Sequence, residues 1–228
     1  MLDFTSSITL KNSSTKTSSE IAEPFGLYSR AGKRVFDIVL AILLLPAVIP
    51  VVLVLWCLVR QDGGPGFFGH TRVGKDAKPF KCWKIRSMVV DAESRLQSYL
   101  DAHPEAAAEW DRDHKLIHDP RINQLGRLLR ETSLDELPQI WNVLKGEMSF
   151  VGPRPVVATE LVKYGSSASA YLVQKPGITG LWQVSGRNEV TYGERVAMDV
   201  DYLTQRNFVM DLKIIVRTFH ILVLRTGR

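Results

Sequence analysis

Hydrophobic and polar positions divide the chain into a polar start, one long apolar run and a mixed remainder. Residues 1–32 are rich in Ser, Thr and Lys with little apolar periodicity, which predicts a mobile tail. That stretch has no apolar h-region and does not read as a secretory signal. Lys33-Arg34 then opens an apolar run from Val35 to Val59, closed by Arg60, with no charge between Ile38 and Val59. Its length suffices to cross a bilayer as one helix. Pro46 and Pro50 sit in its middle, and they deprive the carbonyls of Ile42 and Pro46 of their helical donors. A helix broken there has two legs of about 15–17 Å, each reaching about halfway through a ~30 Å hydrocarbon core. Both flanks are basic, Lys33 and Arg34 before the run and Arg60, Arg72, Lys75 and Lys78 after it. The positive-inside rule is then best satisfied if both ends stay on the cytoplasmic side. Residues 33–62 are expected to form a re-entrant helix with its membrane break at Pro46 and Pro50. A kinked single-pass helix is the alternative.

After the run, Gln61-Asp62-Gly63-Gly64-Pro65-Gly66 is a turn cluster that marks the boundary to a catalytic part, residues 63–228. Alternation around Phe80, Cys82 and Lys84 predicts a short strand. Val89 to Trp110 reads as helical and split by Pro104, and Leu125 to Arg130 as a further helix. Leu137, Ile140, Trp141 and Leu144 fall at i, i+3, i+4 and i+7, the spacing of one buried helical face. Phe208 to Leu224 is apolar but broken by Asp211, Lys213, Arg217 and His220. It cannot span as an uncharged helix and is expected to dock on the core or lie in the membrane interface.

Charge and cysteine usage narrow the possibilities. The formal net charge of +5 suggests an anionic partner. No basic-aromatic interleaving of a nucleic-acid module accompanies it, so nucleic acid is not expected. Two cysteines, Cys57 and Cys82, make no disulfide framework, which favours a cytoplasm-facing catalytic part. His114 and His118 have the i, i+4 spacing of a metal pair, but no third ligand suggests itself, and a solvated helix end is the expectation.

The densest chemistry lies in Arg130-Glu131-Thr132-Ser133-Leu134-Asp135-Glu136-Leu137-Pro138 and Val151-Gly152-Pro153-Arg154-Pro155. Ser133 or Asp135 can cap a helix there, which puts Asp135 and Glu136 at the positive end of a helix dipole. Ser133-x-x-Glu136 is also the pattern of a capping box, in which Glu136 only reaches back to a backbone N–H. Arg130 and Arg154 are candidate counter-charges, since an anionic nucleophile approaches a diphosphate only when cations screen the repulsion. Pro176 to Asn188 holds several glycines and Trp182, which suits either an interface loop or a half-buried core tryptophan.

Leu-Arg-x-x-Ser-Leu-Asp-Glu-Leu-Pro-Gln, then Asn142 through Pro155, Lys175 through Gln183 and Ser185-Gly186-Arg187-Asn188, resemble the bacterial sugar transferases. These are monotopic phosphoglycosyl transferases that start exopolysaccharide and glycan assembly on a polyprenyl phosphate. The resemblance runs from Lys33 to the C-terminus, with one departure: Leu45 precedes Pro46 where many relatives have Ser. It implies an α+β fold, mostly helical with few short strands, anchored by a re-entrant helix and interfacial amphipathic helices. It implies transfer of a hexose-1-phosphate, galactose before glucose, from a UDP-hexose to undecaprenyl phosphate, with UMP released. Asp135 is then the nucleophile, forming an aspartyl-phosphosugar. Glu136 assists, and both acids are the candidate ligands of Mg²⁺. Arg130, Arg154, Lys84, Arg86 and Arg121 are the candidate phosphate-binding residues. The location implied is the inner (cytoplasmic) membrane, with the catalytic domain on the cytoplasmic face. A membrane-tethered binding or scaffold protein is the competing reading.

Overall fold

In a computed structural model, residues 27–113, 116–186 and 190–224 are described here. The expectations for residues 1–26, His114, Arg187 and Asn188 lie outside them. The first long element is α1, Lys33–Val59, preceded by a wider helical turn over Tyr28–Gly32. The helical segment therefore begins five residues earlier than the boundary expected at Lys33, because Tyr28 has a docking partner in the Asp211 carboxylate. No interruption into two helices occurs at Pro46 and Pro50, which both lie inside α1. Each proline removes one backbone bond, and the intact bonds on either side carry the helix past the gap.

The helix does not project away from the remainder of the chain. Arg34 at its start donates to the carbonyls of Val143 and Leu144, and the carbonyl of Val59 at its end accepts from Arg86. Between them Ala41, Leu45, Val48, Val52, Leu55 and Val59 form a stripe at alternating four- and three-residue steps that packs on the catalytic body. The opposite face, including Val39, Ile42, Leu43, Leu53 and Val54, is exposed. Only 11% of the apolar window is buried. The core helix of a water-soluble protein would be mostly covered, so this one is fitted to a lipid environment.

The body continues with β1 (Phe67–Val73) and β2 (Pro79–Ile85), an antiparallel hairpin in which Phe68 faces Lys84, His70 faces Cys82 and Arg72 faces Phe80. Two peripheral helices follow, α2 (Ala92–Ala102) and α3 (Pro104–Asp113), divided at Pro104 as its missing N–H requires. Next is α4 (Gln124–Thr132), capped by the Asn123 side chain, which accepts from Gly126 N–H at 2.7 Å. A 3₁₀ turn over Leu134–Glu136 leads into α5 (Gln139–Lys145). β3 (Ser149–Val151), α6 (Ala158–Leu161), α7 (Ala168–Leu172), β4 (Gly177–Thr179) and α8 (Leu181–Ser185) follow, and α9 (Tyr192–Gln205) and α10 (Phe208–Leu224) complete the described chain. The order matches the expected α+β class, mostly helical with short strands.

β3 and β4 pair in parallel. Glycine makes that approach possible: a Cβ on Gly177 would lie 2.2 Å from the Gly152 nitrogen, and one on Gly152 would lie 2.4 Å from the Lys175 carbonyl oxygen. The Gly177 N–H donates to Pro153 at 2.8 Å and the Gly152 N–H to Thr179 at 2.9 Å, which fixes the Pro153-Arg154-Pro155 turn.

α10 docks on the core through one face and leaves the other exposed. Asp211, Ile214 and Thr218 dock inward, while Phe208, Val209, Leu212, Val216, Phe219 and Leu222 are exposed. α1 likewise buries a polar group beside its apolar inner stripe, Asp37 against Ser149 Oγ at 2.9 Å and the Phe150 N–H at 3.1 Å. Apolar side chains outward and polar ones inward is the arrangement expected when the surroundings are hydrocarbon.

Candidate active site

Two sequence segments far apart meet at the carboxylate pair. β2 delivers Lys84, whose Nζ lies 2.6 Å from Glu136 Oε1 and 3.5 Å from Asp135 Oδ2. Asp135 is only 6% exposed, whereas Glu136 is partly open to solvent. Burial pushes the Asp135 carboxyl above the usual aspartate range, and the negative Glu136 adds to this. The Lys84 charge and hydrogen bond, and the charge of Arg130, work against them. Burial alone would lower the Lys84 ammonium, but Glu136 and Asp135 outweigh it and the net direction is up.

The local backbone departs from the expected helix start. Ser133 closes α4 in the left-handed region, at φ 56°, and its side chain caps nothing. The capping box is therefore absent, and Glu136 pairs with Lys84 instead of reaching back to a backbone N–H. Pro138 is the N-cap of α5, so the two acids precede that helix in a 3₁₀ turn. The dipole of so short and so late a helix is not what holds them.

Beside the pair is a cleft of about 270 Å³ whose lining includes Arg72, Lys84, Ser133, Glu136, Gln139 and Arg154. Asp135 does not line it and connects to it through Lys84 and Glu136. Burial, and after it the charge of Arg154, push the Arg72 guanidinium down, so two like charges converge here. Such a pair is favourable only once an anion separates them. The cleft also opens onto an apolar groove, with which it shares Ser133, Glu136, Ile178 and Gln183. That groove is walled by Leu44 and Val48 of α1 and Leu222 of α10.

The expected phosphate binders divide. Lys84 and Arg154 line the cleft. Arg130 donates to Ser87 Oγ at 2.9 Å and affects Asp135 by its charge without bonding to it. Arg86 does not reach the cleft: its five N–H groups go to both Asp62 carboxylate oxygens and the carbonyls of Val59, Pro65 and Met88. It locks the end of α1 to the hairpin. Arg121 is also spent elsewhere, on Asp119 at 2.6 and 2.8 Å and over the Trp110 ring. His118 is exposed, and His114 lies outside the described residues. Trp182 is a buried core tryptophan under the Arg195 guanidinium, which decides between its two readings.

Sequence reasoning missed Arg72 and His70. Period-two alternation was the available signal: Phe68, His70 and Arg72 share the hairpin face that carries Lys84, Cys82 and Phe80. Burial and the Arg72 charge hold His70 below the usual imidazole range.

Among the described residues no group of three or more His, Cys, Asp or Glu comes together that could hold a metal ion. Two adjacent carboxylates nevertheless suit a hard divalent cation when a substrate diphosphate supplies further oxygens. The donor chemistry of Asp135 and Glu136 fits Mg²⁺ on those terms.

The chain is 49% identical over 199 residues to the undecaprenyl-phosphate galactose phosphotransferase of Salmonella typhimurium and 48% over 199 residues to the UDP-galactose-lipid carrier transferase of Erwinia amylovora. Each alignment covers 87% of this chain but 42% of the relative, so the chain spans less than half of either protein. The exopolysaccharide production protein ExoY of Sinorhizobium fredii is 46% identical over 196 residues, which cover 86% of this chain and 87% of ExoY. The family model described as bacterial sugar transferase matches residues 28–225, and the chain belongs to that family.

Proposed function

We propose that the chain transfers a hexose-1-phosphate from a UDP-hexose to undecaprenyl phosphate at the cytoplasmic face of the inner membrane. The observation that carries this reading is the shared lysine. Lys84 holds a buried carboxylate and a half-open one at the edge of a cleft with two arginines, and the cleft continues into an apolar groove against α1. An anionic donor and an anionic lipid acceptor need that combination of cations and apolar surface.

The donor diphosphate first takes Lys84, Arg72 and Arg154, which loosens Lys84 from the carboxylates. An Asp135 oxygen then attacks the β-phosphorus. The bond from that phosphorus to the bridging oxygen breaks, and its electron pair leaves with UMP. The sugar phosphate remains on Asp135 as an acyl phosphate. An oxygen of the lipid phosphate attacks the same phosphorus and returns the Asp135 carboxylate. When bound by Glu136 and Asp135, Mg²⁺ would supply charge neutralisation at the diphosphate. Both ends of α1 are tied to one body, which supports entry and exit on the same membrane side, with the deepest point near Pro46 and Pro50. Galactose is the favoured sugar because two relatives carry it in their names.

The test is incubation of the detergent-solubilised protein with labelled UDP-galactose and no lipid. Label retained on the wild type and absent from Asp135→Asn is the expected result. UMP release that begins only after lipid is added, with no trapped adduct, overturns the covalent scheme.

A further inference from the structure

A second cavity system lies along α5; its apolar part shares Val48 and Ile140 with the groove beside the Asp135 cleft, and its cationic part shares no residue with either. One part is apolar, about 590 Å³, between Leu45, Val48 and Ile49 of α1 and Trp141 and Leu144 of α5. The other is about 390 Å³ and holds Lys75, Lys78, Lys145 and Lys175 against only two carboxylates, Asp76 and Glu147. Lys145 lines both parts, so the cationic pocket and the apolar one meet at that side chain. The lysine pocket shares no lining residue with the Asp135 cleft.

Three features mark the lysine pocket as built for an anion. Glu147 is engaged by Lys145 at 2.8 Å and by Asn142 at 2.6 Å, while Lys78 and Lys175 have no carboxylate partner among the described residues. Gly146, left-handed at φ 82°, ends α5 so tightly that a Cβ there would lie 3.3 Å from Arg34 Nη2 and 3.4 Å from Lys175 Nζ. Two cations thus converge on one point, and burial, followed by the charge of Arg34, pushes the Lys175 ammonium down. The hairpin tip between β1 and β2 is a tight turn, closed by the Lys78 N–H on the Lys75 carbonyl with Asp76 and Ala77 both at positive φ (56° and 59°), and it fixes the backbone of Lys75 and Lys78 at the rim of the pocket.

We propose that the two cavities together bind one anionic phospholipid, its phosphate on Lys145, Lys175 and Lys78 and an acyl chain along α1 and α5. A pocket with four lysines against two carboxylates favours a headgroup that brings no ammonium of its own. The combined space falls in the range of small-molecule sites, and its apolar half opens beside the exposed face of α1. This lipid is neither donor nor acceptor, so it ties the catalytic body to the charge of the leaflet rather than to turnover.

The experiment is native mass spectrometry of the delipidated full chain offered equimolar phosphatidylglycerol and phosphatidylcholine. The wild type is expected to retain phosphatidylglycerol with a preference of at least about fivefold. Lys145→Gln with Lys175→Gln should erase the preference, and Ile49→Trp, which fills the apolar half and removes no charge, should lower total retention. Arg95→Gln with Lys163→Gln removes the same charge elsewhere and should leave the preference intact. Arg154→Gln, which removes a cation from the reaction cleft, should also leave it intact, which separates this site from the catalytic reading. Equal retention of the two lipids by the wild type overturns the proposal and needs no variant. Loss of preference in the Arg95/Lys163 pair overturns it as general electrostatics, and loss in Arg154→Gln as lipid bound in the reaction cleft. Full displacement by millimolar inorganic phosphate overturns it in favour of a free-anion site.

Discussion

Asp211 and Asp135 are both buried aspartates, provided for in opposite ways. Asp211, on the docked face of α10, is fully covered and accepts from Lys33 at 2.7 Å, Tyr28 at 2.6 Å and Tyr202 at 2.7 Å. Asp135 is nearly as covered but has one cation, at 3.5 Å, which Glu136 holds more closely. The first carboxylate is satisfied and ties the two membrane-facing helices together. The second is buried with little compensation beside a cleft, and its raised proton affinity records the cost. A buried charge left short of partners is a stability liability, which an active site retains because the missing partner is the substrate.

The largest expected effect is on the second site. Asp135→Asn should reduce covalent adduct formation by about a thousandfold or more, since no other group replaces a nucleophile. Its Tm should be equal to or above that of the wild type, because an uncompensated charge has been removed. A Tm clearly below wild type would break the comparison. Asp211→Asn should do the reverse. It strips Lys33 of its buried partner and should cost about 3–5 kcal/mol in denaturant unfolding, while adduct formed per folded molecule is kept. Loss of adduct at full stability would move Asp211 into the chemistry.

Asp199 gives a third, intermediate case. It is buried with the Tyr164 hydroxyl at 2.7 Å, and burial raises its pKa to about 7. The unfolded chain ionises it near about 3.9, so the stability it carries is present below that pH and is lost as pH rises toward about 7. Asp199→Asn should therefore match the wild type near pH 4 and exceed it at pH 8 by up to about 4 kcal/mol, at about 1.4 kcal/mol per pH unit. Melts at the two pH values check this, and a constant difference would refute it. The smallest effect is expected of Lys84→Met. Lys84 is the strongest influence holding the Asp135 carboxyl down. Without it, adduct formation at neutral pH should fall by about tenfold and its acid limb should move to higher pH. An unmoved limb would detach Lys84 from the nucleophile.

Parts of the site could be read in one dimension and parts could not. Asp135 and Glu136 lie in the short turn between α4 and α5, where the local polar run put them, whereas Lys84 reaches them from β2 and Arg154 from the turn after β3. Arg86, a phosphate-binding candidate by resemblance, lies elsewhere because strand alternation would keep it on the face of Lys84 only while the strand continued. β2 ends at Ile85, the Arg86 N–H turns to the Gly66 carbonyl, and the guanidinium goes to Asp62. Arg72 was missed for the converse reason, since its place depends on the hairpin register with residues 79–85. The capping box failed because Ser133 was already engaged as the left-handed end of α4.

Sequence alone determined the apolar anchor and several helices, which follow from periodicity and from the local preferences of proline and glycine, while the helix-rich class and the role of the acidic pair came from the resemblance to a family. Tertiary structure alone decided which charges meet. Lys33 and Asp211 are 178 positions apart and Lys84 and Glu136 are 52 apart, yet each pair lies within 2.7 Å. An ion pair is a property of two surfaces brought together, and the direction of a side chain across such a gap is set by packing and register rather than by its neighbours in the chain.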